Sequence, residues 1–128
     1  IIAGKQNNEI GLIRTQTDVN VFTLKAAKGG KIDLEIPQNH QSLIYLLDGE
    51  ILVNDSEVLR KGENQMITFH QDGNTIQFEA KKESTILVLS GVPIKEKISQ
   101  YGPYVMNTQT EILEAMRDYQ QGKMGYLY

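Results

Sequence analysis

Two histidines, His40 and His70, are the strongest potential ligands or bases in the chain, because cysteine is absent. Without thiols there is no cysteine nucleophile, no thiolate metal site and no disulfide. His40 follows Ile36 by four residues and Gln38 by two, so on an uninterrupted strand all three would share one face. A site shared with His70 could then form inside a barrel. Two imidazoles without a well-placed carboxylate hold a transition metal weakly, and Pro37 interrupts the strand that would align them. Ring separations above about 8 Å would exclude sharing, since each ligand bond is only about 2 Å long. Ordinary hydrogen-bonded or surface histidines are therefore expected, with His40 and His70 kept as the candidate ligands.

Other chemistry is less well supported. Ser42 stands close to His40, but no G-x-S-x-G elbow is present and no acid partner is placed by the sequence. Gly29 and Gly30 lack the further glycine and the Lys-Ser or Lys-Thr of a phosphate loop. Glu9, Glu35, Glu50 and Glu63 are scattered, so no acid/base pair can be assigned. Tyr101, Tyr104, Tyr119, Tyr126 and Tyr128 gather near the C-terminus, where tyrosines pack a helix onto a sheet or mark a contact surface.

Positioning falls to short apolar segments, rich in Val, Ile, Leu, Phe and Thr, that are punctuated by Gly, Asn, Asp or Pro from Ile10 to Gly91. This pattern predicts antiparallel β structure. Strands are expected at 10–14, 19–26, 31–36, 42–47, 51–53, 57–59, 65–69, 75–79 and 85–90. Ile32, Leu34 and Ile36 alternate with Lys31, Asp33 and Glu35, giving one wet face and one core face. Asp48-Gly49 and Asn54-Asp55 tolerate the positive φ of tight hairpins, and Lys28-Gly29-Gly30-Lys31 reads as another turn. After Gly91 one helix is expected at 109–121. Thr108-Gln109-Thr110-Glu111 matches a capping box, in which the hydroxyl and the carboxylate each accept from a free backbone N–H. Ile112, Ala115, Met116 and Tyr119 form its apolar stripe, Glu111, Glu114, Arg117 and Asp118 its wet side, and Gly122 its stop. Residues 1–9 read as an extension or linker, 10–91 as the β-sandwich, and 92–128 as an arm and helix that pack on the sandwich or on a partner domain.

With 128 residues the chain fits one domain. Thirteen Lys plus Arg against 16 Asp plus Glu give a net charge of −3, too acidic for a broad phosphate-binding field, so nucleic acid is not expected as a direct partner. No apolar run reaches the roughly 18 residues of a membrane span, and the start resembles no secretory signal. A cytoplasmic protein without membrane partners is the expectation. The chain opens on Ile1-Ile2 with no initiator Met, and reads as cut from something longer or as processed.

Gly91-Val92-Pro93-Ile94-Lys95-Glu96, then Tyr101-Gly102-Pro103-Tyr104-Val105-Met106-Asn107-Thr108, then Glu111-Ile112 and Asp118-Tyr119, closely resemble the C-terminal signature of pirin-like proteins. Leu43 to Glu50 leading into Ile51-Leu52-Val53 looks like the hairpin of their second cupin domain. The resemblance implies an all-β fold, a cupin-type double-stranded β-helix or jelly-roll sandwich with one C-terminal α-helix. It also implies a protein of two cupins, of which the N-terminal one carries a His/Glu site for iron or a similar metal. Quercetinase-type dioxygenase activity and, in eukaryotes, transcriptional co-regulation go with the family.

The metal-binding motif of cupins can be laid on this chain from Gly30 to Gly49. Two histidines one residue apart and a nearby glutamate then fall on Ile36, Gln38 and Ser42, and the further histidine, counted from Gly62, falls on Gly73. None of the four is a strong ligand. These vestigial positions predict no catalytic residue and no metal or other cofactor in this chain. The expected role is that of a structural or interaction half, which supports an N-terminal metal-binding cupin of the same protein through Pro93, Ile94, Pro103, Tyr104, Val105 and Met106. The isolated chain is expected to be able to dimerise. Two alternatives stand beside this role: part of an iron-dependent quercetinase-type dioxygenase, or a small-ligand or protein-binding cupin that uses Gln38, His40 and Ser42 as polar contacts.

Overall fold

The computed structural model describes residues 1–69 and 73–126, which divide into two compact units, Ile1–Pro93 and Ile94–Tyr128. Each unit is taken by itself. The first opens with a small hairpin, β1 (Lys5–Gln6) and β2 (Glu9–Ile10). Eight longer strands follow: β3 (Val19–Ala26), β4 (Lys31–Glu35), β5 (Gln41–Asp48), β6 (Glu50–Val53), β7 (Glu57–Arg60), β8 (Met66–Phe69), β9 (Thr75–Ala80) and β10 (Ser84–Gly91).

These eight form two antiparallel sheets, in the orders β3-β10-β5-β8 and β4-β9-β6-β7. Strands that follow one another in sequence mostly lie in opposite sheets, which is the double Greek-key winding of a jelly roll. Only β6 and β7 pair as sequence neighbours within these sheets. The core lies between the sheets. Phe22, Ile44, Leu46, Ile86 and Val88 come from the first, and Leu34, Ile51, Val53, Leu59, Ile76 and Phe78 from the second. Period-two alternation delivers all of them, because each strand turns every second side chain inward. The all-β cupin fold expected from the sequence is the fold observed.

Turn chemistry accounts for most strand ends. Asn54 and Asp55 both have positive φ (50° and 57°) and close the β6–β7 hairpin. Asp48-Gly49 has a different role from the hairpin expected of it. The strands on either side lie in different sheets, so Gly49 (φ 97°) forms a corner between sheets. A Cβ there would run into the Ser84 side chain and the Glu83 carbonyl, so only glycine fits. The buried Ser84 hydroxyl pins this corner, accepting from the Glu50 N–H (3.1 Å) and donating to the Lys82 carbonyl (2.8 Å).

The segment expected as a strand at 10–14 contributes only its first residue to β2, while Ile13 makes a single bridge to Ala3. Its apolar residues are exposed, Leu12 at 96%, so no burial favours an extended pairing there. Residues 1–9 do more than link. Ala3 is buried and exchanges backbone hydrogen bonds with Val21, which brings the segment onto the edge strand β3.

The second unit holds a hairpin that the sequence pattern did not reveal, β11 (Ser99–Tyr101) and β12 (Tyr104–Met106), turning at Gly102-Pro103. Helix α1 (Gln109–Gln120) lies against it. Thr108 is the N-cap, and its Oγ1 accepts from the Glu111 N–H at 3.3 Å. The Glu111 carboxylate takes a proton donor other than the backbone N–H expected, accepting instead from the Thr108 hydroxyl at 2.8 Å. Gly122 (φ 72°) ends the helix as expected. Ile112 and Ala115 are buried and Met116 half-buried, but Tyr119 is exposed, so the apolar stripe is one turn shorter than its spacing suggested. Among the described residues no helix is long and apolar enough to cross a membrane.

Candidate functional site

Pro37 determines where His40 goes. Its carbonyl accepts from the His40 N–H at 2.9 Å, closing a turn between β4 and β5. The strand therefore does not continue past Pro37, and His40 reaches the interior from the turn. It is buried, with Nδ1 3.0 Å from the Ser90 hydroxyl and Nε2 3.3 Å from an Asp18 carboxylate oxygen. Asp18 precedes β3, and its side chain is 72% exposed. With the proton on Nε2, the ring donates to Asp18 and accepts from the Ser90 O–H, so both nitrogens are occupied.

Beside His40 the inner face of the first sheet changes character. Ser90 on β10 is in register with Asn20 on β3 and with Ser42 on β5, which makes a buried polar row across three strands. The Asn20 side-chain oxygen accepts from the Lys5 N–H at 2.8 Å, tying the N-terminal hairpin to this row. Ser42 differs from its neighbours: among the described residues its hydroxyl has no hydrogen-bond partner.

A small cavity of about 90 Å³ adjoins this row, lined by Ile36, His40, Ser42, Phe69, Gly73 and Ile76 among others. Three of the four positions on which the motif frame falls, Ile36, Ser42 and Gly73, thus meet at one place. The fourth, Gln38, does not join them. It is exposed and borders a separate polar recess of about 880 Å³, with Lys5, Asp18, Asn20 and Glu35. His40 stands at the cavity where the frame had placed Gln38. His70 lies outside the described residues, as does Tyr128.

A divalent transition metal needs three or four strong donors on one point. Here the cavity offers an aliphatic side chain, a neutral hydroxyl, a glycine, and an imidazole whose two nitrogens already have partners. Among the described residues no group of three or more His, Cys, Asp or Glu side chains could hold a metal ion. The described residues at this cavity do not fit the metal site of the fold. Ser90, His40 and Asp18 do share the composition of a hydrolytic triad, yet the serine is only 6% exposed and lies within a strand of the sheet. No nucleophile elbow presents it to a substrate.

Sequence reasoning missed Asp18, Asn20 and Ser90. A signal for two of them was available: Asn20 and Ser90 occupy core positions in otherwise apolar alternations, Asn20-Phe22-Leu24 and Ile86-Val88-Ser90. Of the six expected contact residues none is buried. Ile94 (64%), Val105 (58%) and Pro103 are exposed, while Pro93, Tyr104 and Met106 are half-buried.

The Pirin C-terminal cupin domain family matches residues 21–125. Pirin of Rattus norvegicus is 30% identical over 98% of this chain, and Pirin of Homo sapiens 29% over the same share. The match covers 44% of the length of each. A solved quercetin 2,3-dioxygenase from Acinetobacter baumannii superposes with a TM-score of 0.88 at 35% identity, over 99% of this chain and 43% of that one. A bacterial pirin from Escherichia coli, solved with nickel(II), matches in fold, with a TM-score of 0.57 at 15% identity over 64% of this chain and 34% of that one. The chain therefore spans less than half the length of these relatives, and it belongs to the Pirin C-terminal cupin domain family.

Proposed function

We propose that this chain is the metal-free, non-catalytic half of a two-cupin, pirin-like protein, and that it works by supporting a metal-bearing N-terminal cupin of the same polypeptide. One observation carries the reading: at the cavity where Ile36, Ser42 and Gly73 meet, the His40 imidazole has both nitrogens engaged, by Ser90 and by Asp18. Recruiting His40 to a metal through Nδ1 would break a buried hydrogen bond and leave Ser90 unpaired, at a cost of about 1–3 kcal/mol, while recruiting it through Nε2 would displace Asp18. On this reading the oxygenase chemistry named for the Acinetobacter relative belongs to residues outside this chain, and the protein acts in the cytoplasm without direct contact to nucleic acid or membrane.

The test is elemental analysis of the untagged chain after anaerobic incubation with ferrous iron and removal of excess metal. Substoichiometric iron is the expected result. One tightly held ion per chain would overturn the reading and make His40 and His70 the first residues to substitute.

A further inference from the structure

A sheet edge offers a row of unpaired backbone groups, and the two sheets treat their edges differently. On β3 the row is taken by the N-terminal segment: the Val21 N–H donates to the Ala3 carbonyl at 2.9 Å, and the Ala3 N–H donates to the Val21 carbonyl at 3.1 Å. Strand β4, at the edge of the other sheet, has β9 on one side and no strand on the other. Its ladder fixes which groups are free. The Ile36 N–H donates to the Asn74 carbonyl at 2.7 Å and the Ala80 N–H to the Gly30 carbonyl at 2.9 Å, so residues 30, 32, 34 and 36 face β9. Lys31, Asp33 and Glu35 therefore turn their N–H and C=O groups the other way, where among the described residues no strand meets them.

This free edge runs along the polar recess of about 880 Å³, which is lined by residues 32–38 in succession and by Lys5, Gln6, Asn7, Asp18 and Asn20. Asn20 is only 5% exposed; its side-chain oxygen accepts from the Lys5 N–H, while its Nδ2 has no hydrogen-bond partner among the described residues. Charge in the recess is unbalanced, with the carboxylates of Asp18, Asp33 and Glu35 against the single ammonium of Lys5. Elsewhere on the same sheet carboxylates are matched, Glu50 by Arg60 at 3.3 Å and Glu79 by Lys81 at 3.2 Å. Asp33 and Glu35 have no ion pair among the described residues. On the opposite side of the strand Ile32 shares the alternation of the buried Leu34 and Ile36, yet it is 39% exposed.

We propose that the edge of β4 docks an extended peptide segment of another protein, added to the sheet as a fifth strand, with basic side chains beside Asp33 and Glu35 and an apolar one beside Ile32. Backbone bonds to Lys31, Asp33 and Glu35 supply the affinity, and the alternation of side chains supplies the selectivity. The unmatched carboxylates choose the partner. They favour a basic strand, and they oppose a second copy of this chain, since pairing β4 with itself would set like charges against each other. This site is separate from the supporting role proposed above and does not depend on it.

The probe is a fluorescein-labelled seven-residue peptide of alternating lysine and valine, titrated into the 128-residue chain and followed by polarisation and by amide hydrogen exchange. Exchange at the Asp33 and Glu35 amides is expected to slow by roughly fivefold or more when the peptide is bound. A peptide of alternating glutamate and valine, and the lysine peptide with every second amide N-methylated on its bonding edge, are each expected to bind roughly tenfold more weakly or not at all. Asp33→Lys combined with Glu35→Lys, at exposed positions that leave the core untouched, is expected to weaken the lysine peptide by a similar factor and to admit the glutamate one. Equal binding of the N-methylated peptide would mean charge attraction without strand addition and would overturn the proposal. Protection at amides away from β4 would overturn it too, as would the absence of binding, which would leave Asp33 and Glu35 as charges that merely shield an edge.

Discussion

The His40 ring and the Ser90 hydroxyl lie fifty residues apart in sequence and 3.0 Å apart in space, buried at one end of the sandwich. This bond joins the turn before β5 to the last residues of β10, and through Nε2 it reaches Asp18 before β3. Three separate segments are thereby held beside the cavity that Ile36, Ser42 and Gly73 line. The histidine serves as a structural tie.

Removing one end of a buried hydrogen bond leaves the other end unpaired and desolvated. Ser90→Ala is expected to lower the stability of the first unit by about 1–3 kcal/mol. Ser42→Ala, one strand away in the same row but without a partner to lose, is expected to stay within about 0.5 kcal/mol of the parent. Urea denaturation of both variants checks the contrast. Equal losses would mean that the row is held by packing alone.

If His40 and Ser90 act as a unit, their substitutions are not additive. A double-mutant cycle with His40→Ala and Ser90→Ala is expected to give a coupling of roughly 0.5–3 kcal/mol. Asp18→Asn, at a largely exposed side chain, is expected to cost at most about 1 kcal/mol. Coupling near zero would deny the tie.

The corner at Gly49 combines a φ of 97° with the Ser84 side chain and the Glu83 carbonyl packed where a Cβ would stand. Gly49→Ala is expected to destabilise by more than about 1 kcal/mol, since both the backbone conformation and the space oppose it. Gly62→Ala, also at positive φ but facing open space, is the control for strain alone and should cost less. Thermal melts of the two variants rank the effects.

Asp55 holds a φ of 57° in the β6–β7 turn. A β-branched residue tolerates that conformation poorly, so Asp55→Val is expected to lose about 1–2 kcal/mol. Hydrogen exchange should show the loss first at the Leu52 and Val53 amides of the adjoining strand.

In the second unit Thr108→Ala removes the cap that satisfies the Glu111 amide, at an expected cost of about 1 kcal/mol to the helix. Faster amide exchange in the first turn of α1, with the sandwich amides unchanged, is the signature to look for.

Short apolar segments between turn residues were enough to find every long strand of the sandwich, and alternation placed Leu34 and Ile36 in the core, because a strand turns alternate side chains to one side whatever its neighbours do. Ile32, of the same alternation, stays 39% exposed. Local signals also gave Thr108 and Gly122 as helix ends, since capping depends on residues within one turn. Periodicity misjudged segments whose apolar residues find nothing to cover them, such as Leu12 and Tyr119. It was silent on β11 and β12, each only three residues long.

The sequence by itself determined the fold class and the lack of any cysteine chemistry, because both depend on which residue types occur and at what spacing. Only the tertiary structure decided that Ile36, Ser42 and Gly73 meet while Gln38 stands apart, and that His40 joins Ser90 and Asp18. It also decided that Tyr45, Leu47 and Met66 are exposed while Leu43, Leu87 and Leu89 are half-buried. Those relations depend on the crossing of strands between sheets, where residues far apart in the chain become neighbours through winding and register, and no local pattern carries that information.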